Sequence, residues 1–317
     1  MSAAQAERAG GSRRPTPDTH DPRRRLRYSR SVTGWAFVAP AMVFVLVFFG
    51  YPIVKNLTMS FENYSTTTFF TGAAPWVGLA NYRTIVDDPI FVTTVVNTAL
   101  FTVGSIVFQF IIGLGLALFF RRHFPLSGFL RSLLLLPWLL PLIASAAVWK
   151  WMLDQGSGVL NQFLGLFGIA PVPWLVSPTF ALITVIMVNI WLGIPFNTTI
   201  LYSGLQAVPE ELYEAGALDG AVGWKAFWHI TWPSIRSVVS VVVVLGVVYT
   251  LKVVDIILGL TGGGPANSTQ TLATWAYQKS FVQFVFGQGA AVSNVLIVVS
   301  LAFALAYLRM TRKEIDE

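Results

Sequence analysis

Six long apolar segments restrict what this chain can fold into more than any other feature of its sequence. They extend over Gly34–Val54, Val92–Phe120, Arg131–Leu153, Pro178–Tyr202, Ser237–Leu260 and Phe286–Leu308. Each is long enough to cross a bilayer core, which is about 30 Å thick and takes about 20 helical residues. Only 11% of the 317 residues are charged, whereas soluble domains carry about 25%. The sequence therefore predicts an all-α membrane protein with about six transmembrane helices.

Lysine and arginine are unevenly divided between the segments that flank the predicted spans. If the N-terminus is inside, the inner segments carry sixteen of them: Arg8, Arg13, Arg14, Arg23, Arg24, Arg25, Arg27, Arg30, Arg121, Arg122, Arg131, Lys225, Arg236, Arg309, Arg312 and Lys313. The outer segments carry three: Lys55, Arg83 and Lys279. Because cytoplasmic loops are enriched in these residues, both termini are predicted to be cytoplasmic. Residues 1–33 have no apolar periodicity and are predicted to be a disordered basic cytoplasmic tail.

Several classes of protein have no support in the sequence. The chain has no cysteine, and its three histidines form no group with carboxylates, so no metal site and no membrane-embedded enzyme centre is predicted. The turn at Gly262–Pro265 lacks the Gly-Lys-Ser/Thr ending of a phosphate-binding loop. Any nucleotide must therefore bind to another polypeptide. The net charge of +6 is explained by the tail and the inner loops, and no nucleic-acid partner is predicted.

The loop between the fourth and fifth predicted spans, about residues 204–236, is predicted to contain two short helices. Pro209 is suited to a first helical turn, and Glu210 favours that end through the helix dipole. Gly220 can end this helix because glycine tolerates left-handed dihedral angles. A second short helix is predicted at about Gly223–Ile230. The residues alone leave two interpretations open, which are docking to a partner protein and an amphipathic elbow on the membrane surface.

The same loop resembles the cytoplasmic signature loop of bacterial ABC importer permeases. The pattern is Glu-Ala-Ala, three residues, Gly, nine residues, Ile, any residue, Leu and Pro. This chain keeps every spacing, and it departs in having Gly216 for the second alanine and Trp232 for the leucine. In that family the loop forms a coupling helix that docks into the ATPase subunit. The resemblance implies a coupling role for Glu214, Ala215, Gly216, Asp219, Gly220, Ile230 and Pro233.

Other stretches resemble the carbohydrate branch of these importers, the maltose-permease-like group. They are Gly78–Tyr82, Leu205-Gln206 and Leu260–Pro265. The resemblance implies the type I permease fold in a bacterial plasma membrane, and a transport subunit with no enzyme activity and no cofactor of its own. It also implies partners, namely a second, similar permease, two ATPase subunits that hold ATP and magnesium, an extracytoplasmic solute-binding protein, a sugar substrate and membrane lipid.

Sugars suit sites that combine aromatic rings with hydrogen-bonding groups, and the fourth and fifth predicted spans supply both. The resemblance to the maltose-permease-like group implies a substrate site at Trp191, Leu192, Gly193, Phe196, Tyr249 and Thr250. Val253 departs from that group, where a polar residue occurs, which argues against an identical substrate. Helix packing remains the alternative role for any one of these residues.

Lys252 and Asp255 are charged residues inside the fifth predicted span. Because they are three residues apart, they can form an ion pair that lowers the cost of each charge in the membrane. Lys252 is also compatible with a substrate that carries a phosphate group, such as a glycerol phosphoester, which remains an alternative within the same branch. An ion-driven secondary transporter is the other alternative. It would need an internal repeat and acidic residues in several spans.

Overall fold

The computed structural model describes residues 35–122 and 124–315. The predicted tail, residues 1–33, lies outside this range. The chain separates into two units, Met1–Lys55 and Asn56–Glu317. The first helix, α1 (Trp35–Met59), crosses the boundary between them and contains a π-helical turn at Leu46–Gly50. Within the first unit this helix is almost entirely apolar, as expected for a segment that enters a bilayer.

The second unit is helical almost throughout. Its helices are α2 (Thr66–Thr71), α3 (Ala80–Val86), α4 (Ile90–Arg121), α5 (Ser127–Leu134), α6 (Leu136–Leu139), α7 (Leu142–Met152), α8 (Val159–Gly165), α9 (Pro178–Gln206), α10 (Glu210–Leu218), α11 (Trp224–Leu251), α12 (Asp255–Leu260), α13 (Leu272–Tyr277) and α14 (Phe286–Ile315). Among the described residues, five helices are long and apolar enough to span a membrane, and a bent pair raises the number to six. The predicted all-α membrane fold with about six spans is confirmed.

The third span, predicted over Arg131–Leu153, is sharply bent. It consists of the two segments Ser127–Leu139 and Leu142–Met152, which meet at an angle of 97°. The bend lies at Leu140 and Pro141, whose ψ angles of 140° and 132° are extended. A proline disfavours helical dihedral angles in the residue before it and interrupts the hydrogen-bond ladder. The predicted span is present, and the apolar run that predicts it continues through the bend.

The fifth span differs from its predicted range, Ser237–Leu260, at both ends. Helix α11 begins at Trp224, so the predicted short helix at Gly223–Ile230 is the first part of the span itself. A π-helical segment, Phe227–Thr231, joins the two parts. Proline has no N–H to donate to the hydrogen bonds of a helix. The wide π-helical turn just before Pro233 accommodates the hydrogen bond that is missing there.

The C-terminal end of the fifth span is broken. Helix α11 ends at Leu251, and α12 begins at Asp255 after a short non-helical stretch at residues 252–254. Val254 has φ −120° and ψ −49°, outside the helical region. A carboxylate at the start of α12 is favourable because it faces the positive end of the helix dipole. Hydropathy alone gave no sign of this break, since Leu251 to Leu260 is mostly apolar.

The core of the second unit is the pair of long helices α4 and α9. Their backbones approach closely at Gly113, where an added Cβ would lie 2.7 Å from the Cβ of Asn197. One buried cluster centres on Phe101, Val188 and Ile257. Further clusters lie toward the two ends of α4, one with Ala117, Leu201 and Ile235, and one with Ile85, Trp275 and Val292. This packing fixes α9, which lines much of the cavity described next, against α4, which contributes Gln109 to it.

Candidate functional site

A cavity of about 580 Å³ lies between helices that are far apart in the sequence. Its lining residues come from α4, the bent third span, α9 and the broken fifth span: Gln109, Trp138, Leu142, Asn189, Leu192, Gly193, Phe196, Asn197, Gly246, Tyr249, Thr250, Lys252, Val253, Asp255 and Ile256. Both irregular spans thus contribute to the wall at their breaks. Non-helical backbone at membrane depth is tolerated where it lines a water-filled cavity.

The cavity lies near the middle of the membrane-spanning region. Leu192, in its wall, is the central residue of α9, which runs from Pro178 to Gln206 over 29 residues. At 1.5 Å per residue, each end of the helix is about 21 Å from this point. Polar groups at such a depth are costly and are found mostly where they serve binding or transport.

The side-chain amides of Gln109 and Asn189 form one polar part of the wall. The Nε2 of Gln109 donates a hydrogen bond of 2.9 Å to the carbonyl oxygen of Asn189. The side-chain Nδ2 of Asn189 is buried and has no hydrogen-bond partner in the described part of the chain, although the residue is only 6% exposed. An unpaired buried donor costs about 1–3 kcal/mol. Asn189 therefore has a buried donor without a partner next to the cavity that this residue lines.

Gly193 provides the space in which Gln109 lies. An added Cβ at Gly193 would be 2.3 Å from the Cδ and Nε2 atoms of Gln109, closer than any van der Waals contact. The missing side chain lets the amide of Gln109 cross the surface of α9 and reach the carbonyl of Asn189. The resemblance implied that Gly193 contacts the substrate. The structure shows that Gly193 also leaves room for the side chain of Gln109.

Aromatic rings form a further part of the wall. The ring centroid of Phe196 lies 6.2 Å from that of Trp138 and 5.8 Å from that of Tyr249. The ammonium group of Lys252 lies 4.7 Å from the centroid of the Tyr249 ring, within the range of a cation–π interaction. Lys252 makes no ion pair with Asp255 in the described residues, contrary to the pairing considered from the sequence. Both charges instead line the cavity.

Five of the six predicted substrate residues line the cavity, namely Leu192, Gly193, Phe196, Tyr249 and Thr250. Trp191 does not, and its ring packs against Trp149 at a centroid distance of 5.4 Å. The reason is the helical period, since one residue along α9 is a rotation of about 100°. Sequence reasoning missed Gln109, whereas Lys252 and Asp255, which it considered as polar groups of the fifth span, do line the cavity. Gln109 could have been found from the sequence, because a side-chain amide in a membrane-spanning helix is costly and often functional.

The predicted coupling loop is a helical hairpin, defined here as residues 210–232. Helix α10 ends at Leu218, and Gly220 has φ +76°, which confirms the predicted glycine turn. The backbone N–H of Ala221 donates to the carbonyl of Gly216 at 2.7 Å. An added Cβ at Gly216 would lie 2.4 Å from the Cδ1 of Ile230, so the two arms of the hairpin are in close contact here.

The hairpin exposes much of its surface. At its tip, Leu218 is 91% exposed and Val222 is 63% exposed. Of the residues assigned a coupling role by resemblance, Gly216 and Ile230 are partly buried. The others are exposed: Glu214, Ala215, Asp219, Gly220 and Pro233. Apolar side chains at a protruding tip are typical of a surface that another protein covers.

One contact joins the two arms of the hairpin, and another holds the hairpin against the rest of the second unit. The hydroxyl of Tyr213 lies 2.9 Å from the hydroxyl of Thr231, which is buried. The guanidinium carbon of Arg121 lies 4.1 Å from the centroid of the Tyr213 ring. Arg121 is the last residue of α4, so the hairpin contacts one of the helices that forms the cavity wall.

A midplane cavity in a bundle of membrane-spanning helices, with an exposed helical hairpin between two spans, defines a transport permease. Residues 109–313 match the family described as "Binding-protein-dependent transport system inner membrane component". The match covers more than half of the chain, and the chain belongs to this family. It is thus a multi-pass inner-membrane transport protein, as the signature loop suggested, and the family is not one of ion-driven secondary transporters.

Curated relatives match over nearly the full chain. The trehalose/maltose transport system permease protein MalF of Thermococcus litoralis is 33% identical over 91% of this chain and 96% of its own length. The sulfoquinovosyl glycerol transport system permease protein SmoG of Agrobacterium fabrum is 33% identical over 87% of this chain and 89% of its own. The diacetylchitobiose uptake system permease protein DasB of Streptomyces coelicolor is 29% identical over 89% and 88%.

The fold also matches a solved structure. A chain from the crystal structure of a bacterial ABC transporter involved in alginate import superposes with a TM-score of 0.79. The match covers 92% of this chain and 99% of that one, at 22% sequence identity. The predicted ABC importer permease fold is therefore confirmed.

Proposed function

We propose that this chain is the permease subunit of an ATP-driven sugar importer and forms half of its translocation pathway. The observation that carries this proposal is the midplane cavity, whose wall combines the rings of Trp138, Phe196 and Tyr249 with polar side chains. A sugar has an apolar face and hydroxyl edges, and a wall of this kind satisfies both. The relatives named for trehalose/maltose and diacetylchitobiose support a saccharide as the substrate.

The hairpin is the proposed docking site for the ATPase. Its exposed tip at Leu218 and Val222 supplies apolar surface, and Glu214 supplies a carboxylate for a salt bridge with that partner. This assignment places residues 204–236 and both termini in the cytoplasm, in agreement with the distribution of lysine and arginine. ATP and magnesium bind to the partner, and this chain has no enzyme activity of its own.

The remaining partners follow from the family name and from the relatives. A binding-protein-dependent system needs an extracytoplasmic solute-binding protein, and the related alginate transporter has been solved with its periplasmic protein. A single chain supplies only one side of a pathway, so a second and similar permease completes it. The wall described above then faces a corresponding wall of that second permease.

A charged substrate is the second candidate, and Lys252 is the observation that favours it. Its ammonium group lies in the cavity wall without an acidic partner in the described residues. A sulfonate, a carboxylate or the phosphate of a glycerol phosphoester would neutralise it. The name of one relative includes sulfoquinovosyl glycerol, which is a charged compound of this kind. Asp255 in the same wall opposes this candidate, because it would repel an anion.

The test is ATP hydrolysis by the reconstituted complex of this chain with its second permease, ATPase and binding protein. We expect stimulation by the binding protein loaded with one neutral oligosaccharide, in a panel that also contains glycerol phosphodiesters and sulfonated glycosides. Glu214→Ala should abolish the stimulation. Glu210→Ala, a matched change of an exposed carboxylate on the same helix, should retain most of it. A complex that never assembles, or that responds to no loaded binding protein, would refute the proposal.

A further inference from the structure

Helix α4 connects the two functional regions of the molecule. Arg121, at its C-terminal end, contacts the hairpin through Tyr213. Gln109, on the same helix, lines the cavity and donates a hydrogen bond to the carbonyl of Asn189. The two residues are twelve positions apart, which is about 18 Å along a helix. Helix α4 contains no proline, so it can act as a rigid rod between them.

The contact between Arg121 and Tyr213 is well defined on both sides. The guanidinium carbon lies 4.1 Å from the ring centroid, well inside the limit of about 6 Å for a cation–π interaction. The far end of the ring is fixed as well, because its hydroxyl is 2.9 Å from that of the buried Thr231. Tyr213 also packs against the buried cluster that contains Ala117 of α4 and Leu201 of α9.

The hairpin is joined to the membrane region by the chain and by side-chain contacts. The chain runs through residues 207–209 into α9 at one end of the hairpin and continues into α11 at the other. No chain connection leads from the hairpin to α4, which it meets through side chains, among them the pairs Tyr213–Arg121 and Trp232–Phe110. If the contact with Arg121 is lost, a displaced hairpin still moves α9 and α11 through the chain but loses its hold on the C-terminal end of α4.

We propose that Arg121 is a positioning residue that transmits movement of the hairpin to the cavity through α4. The inference rests on the proposed importer function and specifies one part of its mechanism. Arg121 does not touch the substrate or the nucleotide. Its role is to make α4 and the hairpin move as one body, so that ATP hydrolysis is coupled to a change in the cavity.

The experiment measures sugar uptake and ATP hydrolysis in the same proteoliposomes, with the whole complex reconstituted. We expect Arg121→Gln to lower the sugar transported per ATP by about fivefold or more, with assembly and ATP hydrolysis within about twofold of the wild type. Arg121→Lys retains a cation for the ring and should keep at least about half of the ratio. Arg122→Gln is the matched control, because Arg122 is an exposed neighbour with the same charge.

A double-mutant cycle tests the partner. Tyr213→Leu should lower the ratio as much as Arg121→Gln does, and the double variant should be no worse than either single one, because both changes break the same contact. Tyr213→Phe keeps the ring and loses the hydroxyl, so it should retain most of the coupling. Additive effects in the double variant would overturn the inference.

A second readout does not depend on transport. Because the chain has no cysteine, spin labels can be attached at Ala217→Cys on the hairpin and Val103→Cys on α4, both of which are exposed positions. Arg121→Gln should broaden the distribution of distances between the labels, and Arg122→Gln should leave it unchanged.

Three results would overturn the inference. They are equal losses in the Arg121→Gln and Arg122→Gln variants, loss of ATPase assembly in Arg121→Gln, and an unchanged transport ratio in Arg121→Gln. The first would indicate a general effect of charge, and the second a direct contact with the ATPase. In each case the wild type still responds to the loaded binding protein. A wild-type complex without that response would instead refute the proposed function, and the inference with it.

Discussion

The hairpin and the cavity differ in how the chain builds them. The hairpin is one continuous segment of 23 residues, 210–232, and its tip directs apolar side chains outward. The cavity draws its wall from four separate regions between Gln109 and Ile256, and it directs polar groups inward. A continuous surface can be changed without moving the membrane helices, whereas a wall shared by several helices cannot. Changes in the two regions should therefore affect different measurements.

The largest effect is expected at the hairpin tip, with Leu218→Asp. Leu218 is 91% exposed in the isolated chain, so the change leaves the fold intact. Burying a leucine against a partner contributes about 1.5–3 kcal/mol, and an unpaired buried carboxylate costs more. We expect affinity for the ATPase to fall by about 100-fold or more in a pull-down or interferometry titration. Leu166→Asp, at a leucine 80% exposed in another loop, should leave assembly unchanged.

The next effect is expected in the cavity, with Asn189→Leu. This change removes the unused donor, so maximal sugar uptake at saturating binding protein should fall by about tenfold or more. The melting temperature should stay the same or rise, because a buried polar group without a partner is lost. ATPase assembly should be normal. If the melting temperature falls and uptake stays normal, Asn189 has a role in packing and not in transport. The cavity and the hairpin would then not differ in the way described above.

A smaller effect is expected for Gly193→Ala, which tests the contact across α9. The added Cβ would lie 2.3 Å from the amide of Gln109, which must leave the carbonyl of Asn189. Breaking a hydrogen bond of this type costs about 1 kcal/mol, so uptake should fall by about fivefold. Gln109→Ala combined with Gly193→Ala should be no worse than Gln109→Ala alone. Additive losses would contradict the proposed contact.

The smallest effect is expected for Gly216→Ala, which restores the alanine of the signature pattern. The new Cβ meets only the Cδ1 of Ile230, the flexible end of a side chain that can rotate away. Replacing glycine by alanine in a helix gains up to about 1 kcal/mol, which offsets the rearrangement. Coupling of ATP hydrolysis to uptake should stay within about twofold of the wild type. A large loss would show that the contact between the arms is more rigid than the hairpin geometry implies.

The sequence was informative where a feature depends on neighbouring residues. Hydropathy located the spans, and the fixed spacing from Glu214 to Pro233 located the hairpin, with Gly220 at its turn. Neither depends on how distant parts of the chain meet. The size of the bend at Pro141 could not be predicted, because the residues on both sides of it are apolar. The break at residues 252–254 was not predicted either, although the charged Lys252 and Asp255 border it.

The cavity was predictable only in part, because its wall depends on long-range packing. Resemblance led to residues on α9 and α11, and most of these line the cavity. It also included Trp191, which the helical rotation of α9 turns toward Trp149. Gln109 comes from α4, 80 residues before Asn189, and no local pattern joins the two. Only the packing of α4 against Gly193 brings them together.

The close fit of Gly216 against Ile230 has a consequence for building hybrid proteins from related permeases. The two residues belong to opposite arms, so an arm taken from a relative with a side chain larger than alanine at position 216 would clash with Ile230. If residues 210–232 are exchanged as a whole, the side chains at positions 216 and 230 come from the same protein and fit each other. A hybrid permease should therefore exchange the complete hairpin together with Arg121, which contacts it. Exchanging only the signature residues is not enough.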